Sequence, residues 1–116
     1  MEAPPKYSKG SVILIPFPFS DLSQNKMRPA FVVADVGKDD YVLSQVTSNP
    51  YGDTHSIKIE KEDFEGAEFL QKTSYIRPGK LFTANSQIFV KKIGKLKEKT
   101  KIKVIKTIID LIQNEI

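Results

Sequence analysis

The sequence predicts a mainly β fold, a small barrel followed by one C-terminal α-helix. Three observations carry this expectation. Short runs of β-branched and aromatic residues recur over residues 10–90, bounded by Gly, Pro, Asn or Asp. The three-and-four apolar spacing of a helix begins only after residue 97. The chain has 116 residues, 40% of them apolar, and no cysteine. That fits one domain whose core needs no disulfide or thiolate–zinc staple.

Residues 1–9, with two prolines, read as a flexible leader. Residues 11–16 form the first strand. Phe17-Pro18-Phe19 interrupts any regular ladder, because proline has no N–H to donate. Residues 20–27 are polar and read as a loop. Residues 30–34 are continuously apolar and read as a buried strand. Residues 37–40 make a turn, 41–48 a third strand, and 49–53 a loop by their turn formers. Residues 55–60 alternate strictly, the pattern of a half-buried strand. Residues 61–72 are acidic and irregular, with a helical turn at most. Residues 73–76 and 80–83 flank Arg77-Pro78-Gly79, and 87–90 form a last short strand.

In the tail, Ile102, Ile105, Ile109, Ile112 and Ile116 recur at steps of three and four, joined by Val104, Ile108 and Leu111. They cover about half of a helical wheel, while Lys99, Lys103 and Lys106 lie opposite. The expectation is one amphipathic helix over about residues 98–115, docked on the sheet. Isoleucine is a modest helix former, so packing must hold it. Lys97 stands at the N-cap, where Ser, Thr, Asp or Asn is preferred.

The formal net charge of +4 is unevenly placed. Between Lys91 and Lys106 there are eight lysines and one acid, and the rest of the chain is net acidic. Such a segment attracts phosphate backbones, and it equally reads as a solvated helix face. The N-terminus lacks a signal-peptide pattern, and no apolar run approaches the ~20 residues that cross a bilayer. A cytoplasmic protein without membrane contact is expected.

Composition excludes several chemistries. Without cysteine there is no thiol nucleophile, and the single histidine, His55, cannot form a two-histidine acid–base pair. His55 sits on an alternating stretch and reads as structural. Gly94-Lys95 lacks the upstream glycine of a phosphate-binding loop. No metal or other cofactor is expected. What remains is Arg28-Pro29 after a polar loop, Thr47-Ser48 at a strand end, and Arg77-Pro78. An arginine fork and a hydroxyl together suit a phosphodiester and its extra transition-state charge. From spacing alone, each arginine also fits a surface ion pair, and Thr47 an ordinary strand residue.

Five blocks, in order, resemble the MazF/PemK family of toxin endoribonucleases. They are residues 10–22 (GSVILIPFPFSDL), 26–33 (KMRPAFVV), 44–48 (SQVTS), 74–82 (SYIRPGKLF) and 93–96 (IGKL). The similarity spans about residues 9–115. It implies an SH3-like barrel of the MazF, PemK and CcdB kind, here residues 10–116, acting as a homodimer. It implies metal-free cleavage of single-stranded RNA, usually mRNA, by attack of the ribose 2′-hydroxyl on the adjacent phosphate. The products are a cyclic phosphate and a free 5′-hydroxyl.

Within the resemblance, Arg28 matches the catalytic arginine and Thr47 the catalytic threonine, with Ser48 as a helper. Arg77 matches a second arginine that some members use toward RNA. Some of those members carry an acid two positions later, where this chain has Gly79. A carboxylate partner for Arg77 is therefore not identified. Lys26, Phe17, Phe19 and Gln45 are further RNA-facing candidates, and Phe17 and Phe19 equally fit a core position. A cognate antitoxin is the implied protein partner. Two other functions suit the same fold: a gyrase-poisoning toxin, and a barrel that binds RNA without cutting it.

Overall fold

The computed structural model describes residues 7–16, 26–50, 52–66 and 73–114. Phe17 and Phe19 lie outside them. Seven strands and one α-helix are present among the described residues: β1 (Ser11–Pro16), β2 (Met27–Gly37), β3 (Asp40–Thr47), β4 (Ile57–Ile59), β5 (Phe64–Glu65), β6 (Ser74–Asn85), β7 (Lys91–Leu96) and α1 (Glu98–Gln113). The strands pair antiparallel in the order β4-β6-β3-β2-β1-β7-β5, a sheet curled into a half-barrel.

Both faces of the sheet are buried, which explains the unbroken apolar run in β2. One face carries Val12, Phe31, Val46 and Ile76, packed with Val104 and Ile108 of α1. The other carries Ile13, Ile15, Ala30, Val32, Tyr41 and Leu43. The alternation is that of any strand, with neighbours pointing to opposite faces. Tyr7, at the end of the expected leader, closes this second cluster. Its ring meets Tyr41 at 5.8 Å and Phe89 at 5.0 Å, both edge-on.

β2 and β3 join through Lys38 and Asp39, both in the left-handed region (φ 55° and 65°). That is the geometry of a tight two-residue hairpin turn. Asn85 Nδ2 steadies it by donating to Asp40 Oδ1 at 3.0 Å, and the Ser86 N–H donates to the Asp39 carbonyl at 2.8 Å.

Three strand expectations change. The strand expected over 55–60 shrinks to β4, because the His55 N–H and the Ser56 hydroxyl both bond to Asp53 and prolong the turn. Residues 74–85 form one strand rather than two pieces, with a bulge at Arg77-Pro78-Gly79. Residues 86–88 form a short 3-10 turn instead of a strand, capped where Asn85 Oδ1 accepts from the Gln87 N–H at 3.0 Å. The final strand comes later, as β7.

The helix forms as expected, but only one side of it docks. Val104 and Ile108 are buried, whereas Ile102, Ile109 and Ile112 are 53%, 45% and 70% exposed. A sheet touches a helix along a narrow line, so half a circumference of apolar residues is more than this sheet can cover. Lys97 makes no side-chain cap. Asp63 serves instead: its carbonyl accepts from the Lys97 N–H at 2.8 Å and its Oδ1 from Thr100 Oγ1 at 3.2 Å. An acid there also suits the positive end of the helix dipole. Gly10 (φ +91°) lets the chain pass beneath this first turn, since a Cβ would stand 2.9 Å from Lys101 Cδ. No helix among the described residues is long and apolar enough to cross a membrane.

Candidate functional site

The register of the central strands gathers the candidate residues. In the β2–β3 ladder Ala30 faces Gln45, and in the β1–β2 ladder Ile15 faces Arg28. Arg28 and Thr47 each lie two residues beyond the Ala30–Gln45 pair. Alternation therefore puts Arg28, Gln45 and Thr47 on one face. Thr47 faces Tyr75 on β6, and Arg77, just beyond it, reaches the same face through its hydrogen bond to Gln45. This is the face opposite α1, where the apolar surface of Ala30, Val32 and Leu43 gives way to polar groups. Lys26 is exposed just before β2, and Ser48 is exposed just after β3.

The bulge aims Arg77. Val46 faces Ile76 and Ser44 faces Leu81, so residues 77–80 stand against Gln45 alone. Pro78 within it has no N–H to lose from the ladder. Bulges of this kind redirect a side chain next to a site. The Ser44 hydroxyl, buried on the opposite face, donates to the Arg77 carbonyl at 2.7 Å and anchors the turn-out.

Two acceptors then fix the guanidinium. Arg77 Nε donates to Asp53 Oδ2 at 3.0 Å, and Nη1 donates to Gln45 Oε1 at 3.2 Å. The side chains of Arg77 and Asp53 are only 17% and 13% exposed. Asp53 is the functional candidate that sequence reasoning missed. It lies 24 residues upstream of Arg77, in a stretch whose turn formers signal only a loop. Its Oδ1 accepts from the His55 N–H at 2.9 Å. Burial by itself raises the Asp53 carboxyl pKa. The His55 N–H and the Arg77 guanidinium, by hydrogen bond and by charge, outweigh it and hold the group below the usual aspartate value of 3.8.

A depressed folded-state pKa contributes stability above the unfolded value, and that stability is lost as pH falls through the folded one. Asp53→Asn is thus expected to lower the melting temperature at neutral pH, with the gap to wild type closing in strong acid. Thermal unfolding at both pH values checks this. A gap that stays constant assigns the loss to something other than the Asp53 charge.

The Thr47 hydroxyl is engaged locally. Oγ1 donates to the Asn49 carbonyl at 3.1 Å and accepts from the Asn49 N–H at 3.2 Å, and the residue is 4% exposed. This small turn starts the loop that carries Asp53. His55 is exposed, and its backbone N–H donates to Asp53. Among the described residues, no three His, Asp or Glu side chains gather in a group that fits a metal ion.

Comparison with known proteins bears on the fold and the family. Residues 8–112 match the family model of the PemK-like, MazF-like toxins of type II toxin–antitoxin systems. Comparison with curated protein sequences gives no match. Among solved structures, the fold is similar to MazE–MazF (Form-III) from Deinococcus radiodurans, with a TM-score of 0.72 and 11% identity over 94% of this chain and 98% of that one. An endoribonuclease in complex with its cognate antitoxin, from a mycobacterial species, superposes with a TM-score of 0.67 and 13% identity over 93% and 97% of the two chains. The Mycobacterium tuberculosis toxin MazF-mt6 gives 0.65 and 11% over 87% and 93%. At such identities the structures speak for the fold, and the family model, which spans nearly the whole chain, speaks for the lineage. The chain belongs to the PemK-like, MazF-like toxins of type II toxin–antitoxin systems.

Proposed function

We propose that the endoribonuclease activity of this toxin acts on single-stranded RNA, mRNA foremost, across the face that carries Arg28, Gln45, Thr47 and Arg77. The ribose 2′-oxygen bonds to the adjacent phosphorus and gives up its proton. The bond from phosphorus to the 5′-oxygen breaks, and that oxygen takes up a proton from solvent, matching the one released from the 2′-hydroxyl, and leaves as a hydroxyl. Arg28 stabilises the negative charge that builds on the phosphoryl oxygens with the planar donor fork of its guanidinium. Thr47 turns its hydroxyl from the Asn49 carbonyl to the scissile phosphate, with exposed Ser48 as a second donor. Arg77 and Lys26 hold the strand. The single observation that supports this reading is the convergence of Arg28, Gln45 and Thr47 by register, and of Arg77 by its hydrogen bond to Gln45, on one face.

The toxin acts in the cytoplasm as a homodimer, whose two chains together offer a groove long enough for several nucleotides. The exposed Ile102, Ile109 and Ile112 on α1 supply apolar surface for the second chain. The MazE–MazF complex and the mycobacterial endoribonuclease with its antitoxin support a cognate antitoxin here as well. Its amphipathic or acidic tail competes with RNA for the groove.

End-mapping of RNA treated with purified protein tests the reading. The expected products carry 2′,3′-cyclic phosphate and 5′-hydroxyl ends and form in chelator, while supercoiling of plasmid by gyrase is unchanged. The same preparation is expected to sediment at twice the mass of one chain. Intact RNA with impaired supercoiling would overturn the proposal, and binding without cleavage would reduce it to an RNA-binding barrel.

A further inference from the structure

We infer that Asp53 is a positioning residue for RNA recognition: it sets the plane of the Arg77 guanidinium against Gln45, so that the remaining Arg77 donors meet an acceptor on the RNA in one orientation. The inference rests on the reading that Arg77 contacts RNA.

Asp53 is held at every polar group it has. Its N–H donates to the Pro50 carbonyl at 2.9 Å, and its carbonyl accepts from Ser56 Oγ at 3.1 Å. Oδ1 takes the His55 N–H and Oδ2 takes Arg77 Nε. A carboxylate fixed in this way is a rigid acceptor. Arg77 meets it through one nitrogen and meets Gln45 through another, and two acceptors on different nitrogens define the plane of a guanidinium. Arginine has five N–H bonds. The other three meet no acceptor among the described residues. Gln45 commits its oxygen to Arg77, which leaves its amide N–H groups as donors. Arg77 and Gln45 thus present mainly donors, the complement of phosphate oxygens or of the acceptor edge of a purine.

Asp53 also alters what Arg77 contributes. The pair is nearly neutral, so its worth to RNA lies in geometry more than in charge. Orientation set in advance shows in binding, since the side-chain entropy is already lost before the ligand arrives. The missing acid after Arg77, with Gly79 in its place, is thereby answered from another strand connection.

The test uses the full chain, with a single-stranded oligonucleotide whose scissile ribose is 2′-deoxy as the binding probe and the matching RNA as substrate. Arg77→Ala, Asp53→Asn, the double variant and Asp53→Glu are compared by anisotropy, by kcat and KM, and by the Arg77 Nε–H resonance. Asp53→Asn is expected to weaken probe binding and raise KM about tenfold or more, the scale of one charge-assisted hydrogen bond, with a smaller effect on kcat. The Nε–H signal, protected in wild type, exchanges away in Asp53→Asn and returns in Asp53→Glu. In the Arg77→Ala background Asp53→Asn has no further effect on binding.

If Asp53→Asn weakens binding as much in the Arg77→Ala background as in wild type, Asp53 acts independently and the inference fails. It fails likewise if Arg77→Ala weakens binding while Asp53→Asn does not. If Arg77→Ala itself leaves binding unchanged, the role of Arg77 toward RNA falls first and takes the inference with it.

Discussion

Arg28→Ala is expected to lower single-turnover RNA cleavage by about two to three orders of magnitude, the usual loss when one preorganised donor to a developing oxyanion is removed. The protein should remain folded. Arg28 is half-buried near the start of β2, and it belongs to neither apolar cluster. Arg28→Lys sharpens the result. It keeps a cation at the same register position but loses the planar fork, so it should recover only part of the rate. Binding of an uncleavable strand should change far less than the rate, because the interaction counts for most in the transition state. Rapid-quench cleavage, with thermal melts of each variant, reads all of this. Full cleavage by a folded Arg28→Ala protein would remove Arg28 from the chemistry.

The features legible in the sequence are those whose signal is local. The helix announces itself because Ile102, Ile105, Ile109 and Ile112 recur at steps of three and four, with Val104 and Ile108 beside them. β2 is legible because both of its faces are buried. β7 is not, because three lysines and Gly94 dilute its pattern and only Ile93 and Leu96 turn an apolar side chain into the core. Its pairing with β1 supplies what propensity lacks. Phe89 and Val90 look like strand residues for the opposite reason: Phe89 is apolar to fill the cluster with Tyr7 and Tyr41, while its backbone leaves a 3-10 turn. Pro78 looks like a break, yet a bulge accommodates it within one long strand.

The candidate site divides along the same line. Arg28 and Thr47 stand out through the blocks around them, and the register then aligns them. Asp53 does not, because an ion pair between a loop and a strand 24 residues later leaves no periodicity to read. Thr47 is legible as a residue but not as a geometry. That its hydroxyl already closes a turn with Asn49 follows only from the loop's path.

Phe31→Ala is expected to cost about 3–5 kcal/mol of folding stability, the range for an aromatic side chain removed from a closed core. Phe31 is fully buried, opposite Val12 on β1 and Ser44 on β3, in the cluster that receives Val104 and Ile108. Apart from the Asp63 contacts at its first turn, the hold of α1 on the sheet is this packing. Helical and tertiary signals should therefore be lost in one transition, at a much lower urea midpoint. Lys106→Ala, exposed on the same helix and opposite its apolar side, should change stability by no more than about 0.5 kcal/mol. Two separate transitions, with the helix melting first, would show that α1 is held by something other than the Phe31 cluster. Below its transition the Phe31 variant should cleave RNA at the wild-type rate per folded molecule, because Phe31 points to the α1 face and the reacting groups lie on the other. Arg28→Ala and Phe31→Ala thus separate the two faces of one strand, one losing chemistry with the fold intact and the other losing the fold with the chemistry intact.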